Sequence, residues 1–407
     1  MASDSDKVGI MTSDTAAVLH DIRVLDVSEE VAGPFCAKLL AGLGAEVIKV
    51  EKPGGGDASR RLGPFPHDAP HAEQSAAYLY LNTGKKSVTL DLEHPTGVAL
   101  LRRLAQQSDI LIESFVPGHL DELDLGYSDL ERLHPGLIYT SVTPFGQTGP
   151  YRDYKGSDLI VQALGAVMHP VGIPEREPLK IGGQAALYTT GISAFAATML
   201  ALHVRETAGH GQHVDVSAME TLTVAQIHAS IQHQFGRPAE RRRSTLVQAQ
   251  DGWVHPGLER GVDEKTWPRV CELMGKPELA TDPKFNTSDA RRTNQTELSA
   301  LIEAWTATQP KEAIYHALQG LRTVAGYVAT VEDLMKSEQF IARGYFQRLD
   351  HPEVGEAAYP GAAMSIEGTP WRHARAPLLG EHNAEVYGDR LGHSPGDLAQ
   401  LRGSGAI

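Results

Sequence analysis

A chain of 407 residues exceeds the size at which one hydrophobic core stops growing, so two domains are expected. With 41% hydrophobic and 22% charged residues the composition is that of an ordinary globular protein, and a net charge of −14 argues against a general nucleic-acid partner, which would want a basic face. Two cysteines, Cys36 and Cys271, exclude a disulfide framework and any CxxC-built zinc site, and they suit the reducing cytoplasm, the expected location.

The polar start, MASDSDKVGIMTSDTAAVLH, lacks the basic and apolar regions of a secretory signal and reads as a flexible extension over residues 1–20. IRVLDVS (22–28) is a short β-type run, GPFCAKLLAGLG (33–44) has helical spacing with Pro34 near its first position, and AEVIKVE is a second strand. This βαβ order implies a parallel sheet with right-handed crossovers. GVALLRRLAQQ before DILIES, and YSDLERLHPG before LIYTSV, repeat it, so the first part of the chain reads as doubly wound α/β. The longest apolar run, Ile192 to Leu202, falls short of the roughly 20 residues of a membrane span and reads as a buried helix; no membrane partner is expected. After one more strand and helix start, QHVDVSAMETL, the basic stretch GRPAERRRS suits a loop, helical patterns dominate from Glu264 to about Leu321, and the tail from Phe346 is rich in Gly and Pro. The expected division is a large Rossmann-like domain from 21–215 with 346–407, and linkers with a smaller, mainly helical α+β domain over 216–345.

Few motifs carry chemistry by themselves. The first strand-to-helix turn, SEEVAGP, lacks the GxGxxG fingerprint, which disfavours a nicotinamide or flavin dehydrogenase. His67 and His71 sit four apart, but Pro66 and Pro70 break any helix that would aim both at one metal, and no metal site is expected. The glycines of EKPGGGD (51–57) would let backbone approach a phosphate, or form a plain loop. Arg241 to Arg243 would suit a phosphate, or a solvated face.

The series VLDVSEEVAGPFCAKLLAGLGAEVIKVEKPGGGD, LNTGKKSVTLDLEHPTG, SVTPFGQTGPY, GSDLIVQALGAV, GHGQHVDVSAMETL and APLLGEH, spread in order from Asp21 to about Gly392, resembles the class III CoA-transferases of the CaiB/BaiF type. Carnitine and formyl-CoA transferases and the α-methylacyl-CoA racemases belong to that family. The resemblance implies a Rossmann-like domain built from both chain ends, a smaller middle domain, and an interlocked dimer. It implies transfer of CoA from a thioester such as succinyl-CoA to a carboxylic acid, with the thioester as substrate and no permanently bound cofactor. An aspartate attacks the acyl-CoA, an anhydride forms, CoA returns to make an aspartyl thioester, and the acceptor acid repeats the sequence.

The same resemblance exposes what is missing. The family's aspartate falls on Leu187 in GGQAALYTTG, and the racemases' histidine falls on Ser157, leaving no catalytic residue at either place. Along the chain the nearest carboxylates are Glu177 and Glu206, and no local substitute is evident. Contacts to CoA are implied for Val31, Ala32, Lys52, Leu90, Phe115 and Lys155. Against these, Glu93 and Glu122 stand at positions often basic in the family, Ser114 replaces the asparagine of an NFxPG motif, and ERRRSTLVQAQDGW replaces a glycine-rich loop. Reversed charge beside a polyanion weakens binding, so CoA is expected to bind this chain weakly or not at all. The reading that follows is a subunit lacking the nucleophile, paired with a homologous aspartate-bearing subunit, as in heteromeric members such as benzylsuccinate CoA-transferase. The alternatives are a non-catalytic acyl-CoA-binding or regulatory homodimer, and a transferase that recruits Glu175 or Glu177.

Overall fold

The computed structural model describes residues 17–236, 245–258 and 262–407. They divide into two units, the first comprising residues 1–171, 178–240 and 344–407, the second 172–177 and 241–343. Arg241 to Arg243 and most of the expected N-terminal extension lie outside the described residues. Ala17 and Leu19, at the end of that extension, are buried, Leu19 against the first unit's core.

In the first unit, β1 (Arg23–Asp26), α1 (Ala32–Gly42), β2 (Glu46–Glu51), α2 (Ala76–Leu81), β3 (Lys86–Thr89), α3 (Pro95–Ala105), β4 (Ile110–Glu113), α4 (His119–Glu122), α5 (Tyr127–Leu133), β5 (Ile138–Thr143), α6 (Asp158–Leu164), α7 (Ala185–Ala208), β6 (His213–Ser217) and α8 (Ala218–Val224) follow in order. The six strands form one parallel sheet in the order β3-β2-β1-β4-β5-β6. Alternate residues of each strand enter opposite faces: Leu25, Ile48 and Leu111 pack under α3 and the C-terminal helix Pro395–Gly403, while Val24, Val47, Ile110 and Ile112 pack under α1 and α7. Strands buried on both faces are what their Val/Ile/Leu-rich sequences dictate. Residues 346–351 and 355–360 pair as an antiparallel hairpin in the Gly- and Pro-rich tail.

The sequence reading ends the large domain at 215, whereas α8 and the helix Ile227–Gln234 belong to the first unit. Ala218 and Leu222 are buried with Val161, Val167 and Ala186, which binds that segment to α6 and α7. The second unit sets three antiparallel strands (Val247–Ala249, Gly252–His255, Gly326–Tyr327) against helices around Trp267, Phe285, Leu298, Ile302 and Leu318.

The apolar run at Ile192 is part of the 24-residue helix α7, whose length and composition alone would suit a membrane span. It is not a fully buried helix: Ala194, Thr198, Ala201 and Leu202 face the core, while Ile192, Leu200 and Val204 are exposed.

Candidate active site

The strand order reverses between β1 and β4, and ligands of open α/β sheets bind beyond the carboxyl ends of the strands at such a point. A cavity of about 450 Å³ lies there, lined by the turn after β1 (Glu29 to Gly33), the turn after β4 (Ser114 to Pro117), Thr143 and Pro144 after β5, Arg152 to Ser157, and Leu187 and Thr190 of α7. A second cavity of about 290 Å³ shares Glu29 and Phe115 with it and adds Lys52, Leu90 and Glu93. The residues implied as CoA contacts therefore gather here: Val31, Ala32, Phe115 and Lys155 in the first cavity, Lys52, Leu90 and again Phe115 in the second. Leu187 and Ser157 join them in the first. Glu122, Glu175 and Glu177 line neither, so the recruitment of Glu175 or Glu177 has no geometric support.

Close backbone contacts hold this mouth together. A Cβ on Gly33 would fall 2.3 Å from the Ser28 side chain, so the start of α1 folds back on the turn after β1 only with glycine there, and one on Gly191 would fall 2.7 Å from the Ala32 carbonyl oxygen, so glycine there lets α7 approach α1. The Ser114 hydroxyl accepts the Glu29 N–H at 2.8 Å, tying the two turns directly. Glu113 accepts the Phe115 N–H at 2.7 Å and fixes the second turn from beneath.

Under the first turn lies a network of fully buried charges. Asp26 pairs with Lys85 at 2.8 Å, Lys49 pairs with Asp57 at 2.7 Å, and Glu51 takes a two-pronged bond from Arg60 at 2.6 and 2.9 Å. Asp57 also accepts the Ser59 N–H at 2.7 Å and the Glu30 N–H at 3.3 Å. The loop EKPGGGD is therefore anchored by its last residue to the turn that lines the cavity. Glu30 sits at φ 66°, a left-handed conformation costly for a side-chain-bearing residue and kept by these bonds. Burial, with Asp57 nearby, raises the proton affinity of Glu29, while Lys49 and Arg61 oppose the shift.

Leu187, half-buried, packs against the cluster of Val31, Phe35 and Leu81 in the first turns of α7. The structure places beside it a carboxylate that distance along the chain does not reveal. Asp158 accepts the Ala186 N–H at 3.0 Å and the Leu187 N–H at 3.4 Å. Its other oxygen binds Lys180 at 2.8 Å and the Gln162 amide at 2.7 Å. A buried carboxylate occupied on both oxygens caps the positive end of a long helix and has no lone pair aimed at substrate. Ser157 likewise serves structure, its hydroxyl accepting the Ile160 N–H at 3.4 Å as the cap of α6.

Part of the polyphosphate-binding potential is spent internally. Lys52 is bound to Glu93 at 3.2 Å, both exposed, so the cation implied for CoA is partly neutralised by the residue that reverses the family's charge. Glu29 and Glu30 add two more acidic side chains to the first cavity. Their only signal in the sequence is the adjacent acidic pair at a strand-to-helix turn. Among the described residues no cluster of His, Cys, Asp and Glu is arranged to hold a metal.

A six-stranded parallel sheet with a cavity at its switch point defines a ligand-binding doubly wound protein. The particular class follows from comparison: the family model for CoA-transferase family III matches residues 19–383, and the chain belongs to that family. It is 36% identical, over 96% of its length and 98% of the relative's, to the succinyl-CoA–D-citramalate CoA-transferase of Chloroflexus aurantiacus. It is 31% identical to the beta subunit of that organism's succinyl-CoA–L-malate CoA-transferase, over 97% of this chain and 99% of the relative. Among solved structures, a CAIB/BAIF family protein from Brucella suis superposes with a TM-score of 0.83 at 31% identity, covering 92% of this chain and 99% of that one.

Proposed function

We propose that this chain is the subunit without a nucleophile in a heteromeric class III CoA-transferase, which moves CoA between an acyl-CoA such as succinyl-CoA and a carboxylic acid. The observation that carries the reading is Leu187: it lines the cavity where the family's covalent chemistry is expected, and an alkyl side chain cannot form an acyl anhydride. Among the described residues the only carboxylate bonded to that turn, Asp158, is consumed in capping it. A partner bearing the aspartate supplies the nucleophile, and this chain completes the assembly. That a relative is named as a beta subunit supports the reading, as do the exposed apolar side chains Ile192 and Leu200 on α7 and Val224 and Phe235 after it.

The isolated chain is expected to transfer no CoA from succinyl-CoA to carboxylic acids, and hydroxylamine should trap no activated carboxylate on it. Co-expression with an aspartate-bearing relative should raise soluble yield and melting temperature, and activity should appear only in the mixed species. There, changing the partner's aspartate to alanine should abolish transfer, whereas Leu187→Ala here should leave most of it. Turnover by this chain alone, or a trapped adduct on Glu29 or Glu30, would overturn the reading. A stable homodimer that binds acyl-CoA and ignores such partners would favour the regulatory alternative.

CoA itself should bind the isolated chain weakly. Glu93→Lys frees Lys52 and reverses one charge in the second cavity, so affinity should rise roughly two- to fivefold, as expected for an exposed pair. Glu122→Arg, whose side chain lines neither cavity, should add little. Titration calorimetry checks both; submicromolar binding by the unaltered chain would contradict the charge argument.

A further inference from the structure

A third cavity, of about 220 Å³, shares Val116 and Pro117 with the first and takes no part in the CoA-transfer reading. Its polar wall is Glu113 from β4, Asp121 from α4, Tyr127 and Ser128 from α5, Tyr139 and Ser141 from β5, Gln147, whose amide donates to Glu113 at 3.5 Å, and His213 from β6, with no lysine or arginine. Tyr139 is only 4% exposed, yet its hydroxyl has no hydrogen-bond partner among the described residues. That hydroxyl is not sealed off without a partner but opens onto the cavity, where it can bind a ligand or a water. Asp121 enters no ion pair among the described residues. Glu113 receives the Phe115 N–H and the Ser141 hydroxyl, and Ser141 is also bound to His213 at 2.9 Å. The Tyr127 and His213 rings stack at 5.3 Å and 23°, and Tyr139 meets His213 edge-on at 5.3 Å.

The chemistry of this wall is one-sided. It offers carboxylate, phenol and hydroxyl oxygens, the Gln147 amide and aromatic faces, but no permanent cation. A carboxylate or phosphate ligand would meet like charge. A neutral ligand would draw no attraction from Asp121. We propose that this cavity is a binding site for a small organic ammonium ion, whose charge faces Asp121, whose N–H groups donate to the Tyr139 hydroxyl and to Glu113, and whose alkyl stem lies on the Tyr127–His213 stack. With each water occupying about 30 Å³ in the liquid, the volume takes a few-atom amine in exchange for several waters.

Glu113 supplies a second readout. Burial pushes its carboxyl up to about 7 against the bonds from Ser141 and Phe115, with Asp121 and Asp215 adding to the rise. Burial lowers the proton affinity of His213, against Asp215 and Asp121. A cation placed among these groups favours the Glu113 anion, so binding at pH 6 should release up to about one proton.

The test is titration calorimetry of the full chain with ethylammonium at pH 6 in buffers of different ionisation enthalpy, with ethanol and propionate as controls. Ethylammonium should saturate one site with proton release, ethanol and propionate should not bind, and Tyr139→Phe and Asp121→Asn should each weaken binding about tenfold or more. Asp121 is exposed, so its variant tests the site even if the Tyr139 change unfolds the chain. Absence of saturation, binding indifferent to Asp121→Asn, or preferential binding of propionate would overturn the proposal. None of these outcomes depends on a CoA-transferase partner.

Discussion

Lys49→Met should destabilise the first unit by about 3–5 kcal/mol, the cost typical of leaving a buried charge without its partner. Lys49 is fully buried, pairs with Asp57 at 2.7 Å and Asp26 at 3.9 Å, and donates to the Ser28 carbonyl. Methionine matches its length but strands Asp57, itself 1% exposed, with only the backbone N–H groups of Ser59 and Glu30 to hold its charge. Asp26 would keep Lys85. Chemical denaturation monitored by circular dichroism measures the loss, with Lys284→Met as the control. Lys284 pairs with Glu297 in the open, and its removal should be nearly silent. A Lys49→Met loss no larger than the control's would show that the network is not what holds the turn. The loss should also loosen Glu30 at the cavity mouth, so CoA binding and stability should fall together.

Much of this architecture was legible because it rests on local pattern. The βαβ order could be read from Val, Ile and Leu runs alternating with helical spacing, since strands buried on both faces leave that signature. Family resemblance led to the cavity lining, since Val31, Ala32, Phe115, Lys155, Ser157 and Leu187 all line the first cavity. What escaped was set by contacts distant in sequence. Asp158 reaches the start of α7 only because α6 folds beside it, and no spacing rule links residue 158 to residue 187. The Asp26, Lys49, Asp57, Glu51 and Arg60 network is spread over two strands and a loop, each residue unremarkable in its own stretch. α7 was misjudged for a different reason: its apolar run is continuous, so periodicity could not reveal that one side is exposed.

Glu113→Gln should make the chain more stable at pH 8 than the native sequence, by up to on the order of 3 kcal/mol, and leave it about equal near pH 4.5. Glu113 is 4% exposed, and its carboxyl is pushed up to about 7, chiefly by burial. In the unfolded chain the same carboxyl loses its proton near pH 4.3. Between those values the folded state binds more protons than the unfolded state, so this group's contribution is fully present below pH 4.3, declines as pH rises, and is gone above about pH 7. Glutamine mimics the protonated acid: its oxygen can still accept the Phe115 N–H at the place of the 2.7 Å bond, and its amide can donate to Ser141. Other groups titrate over the same range, so the diagnostic quantity is the difference between variant and native stability measured by urea denaturation from pH 4.5 to 8. That difference should grow steadily and level off near pH 7.5. Parallel curves would show that Glu113 is ionised throughout, and the turn from Ser114 to Pro117 would then rest on a charged anchor at every pH at which the protein folds.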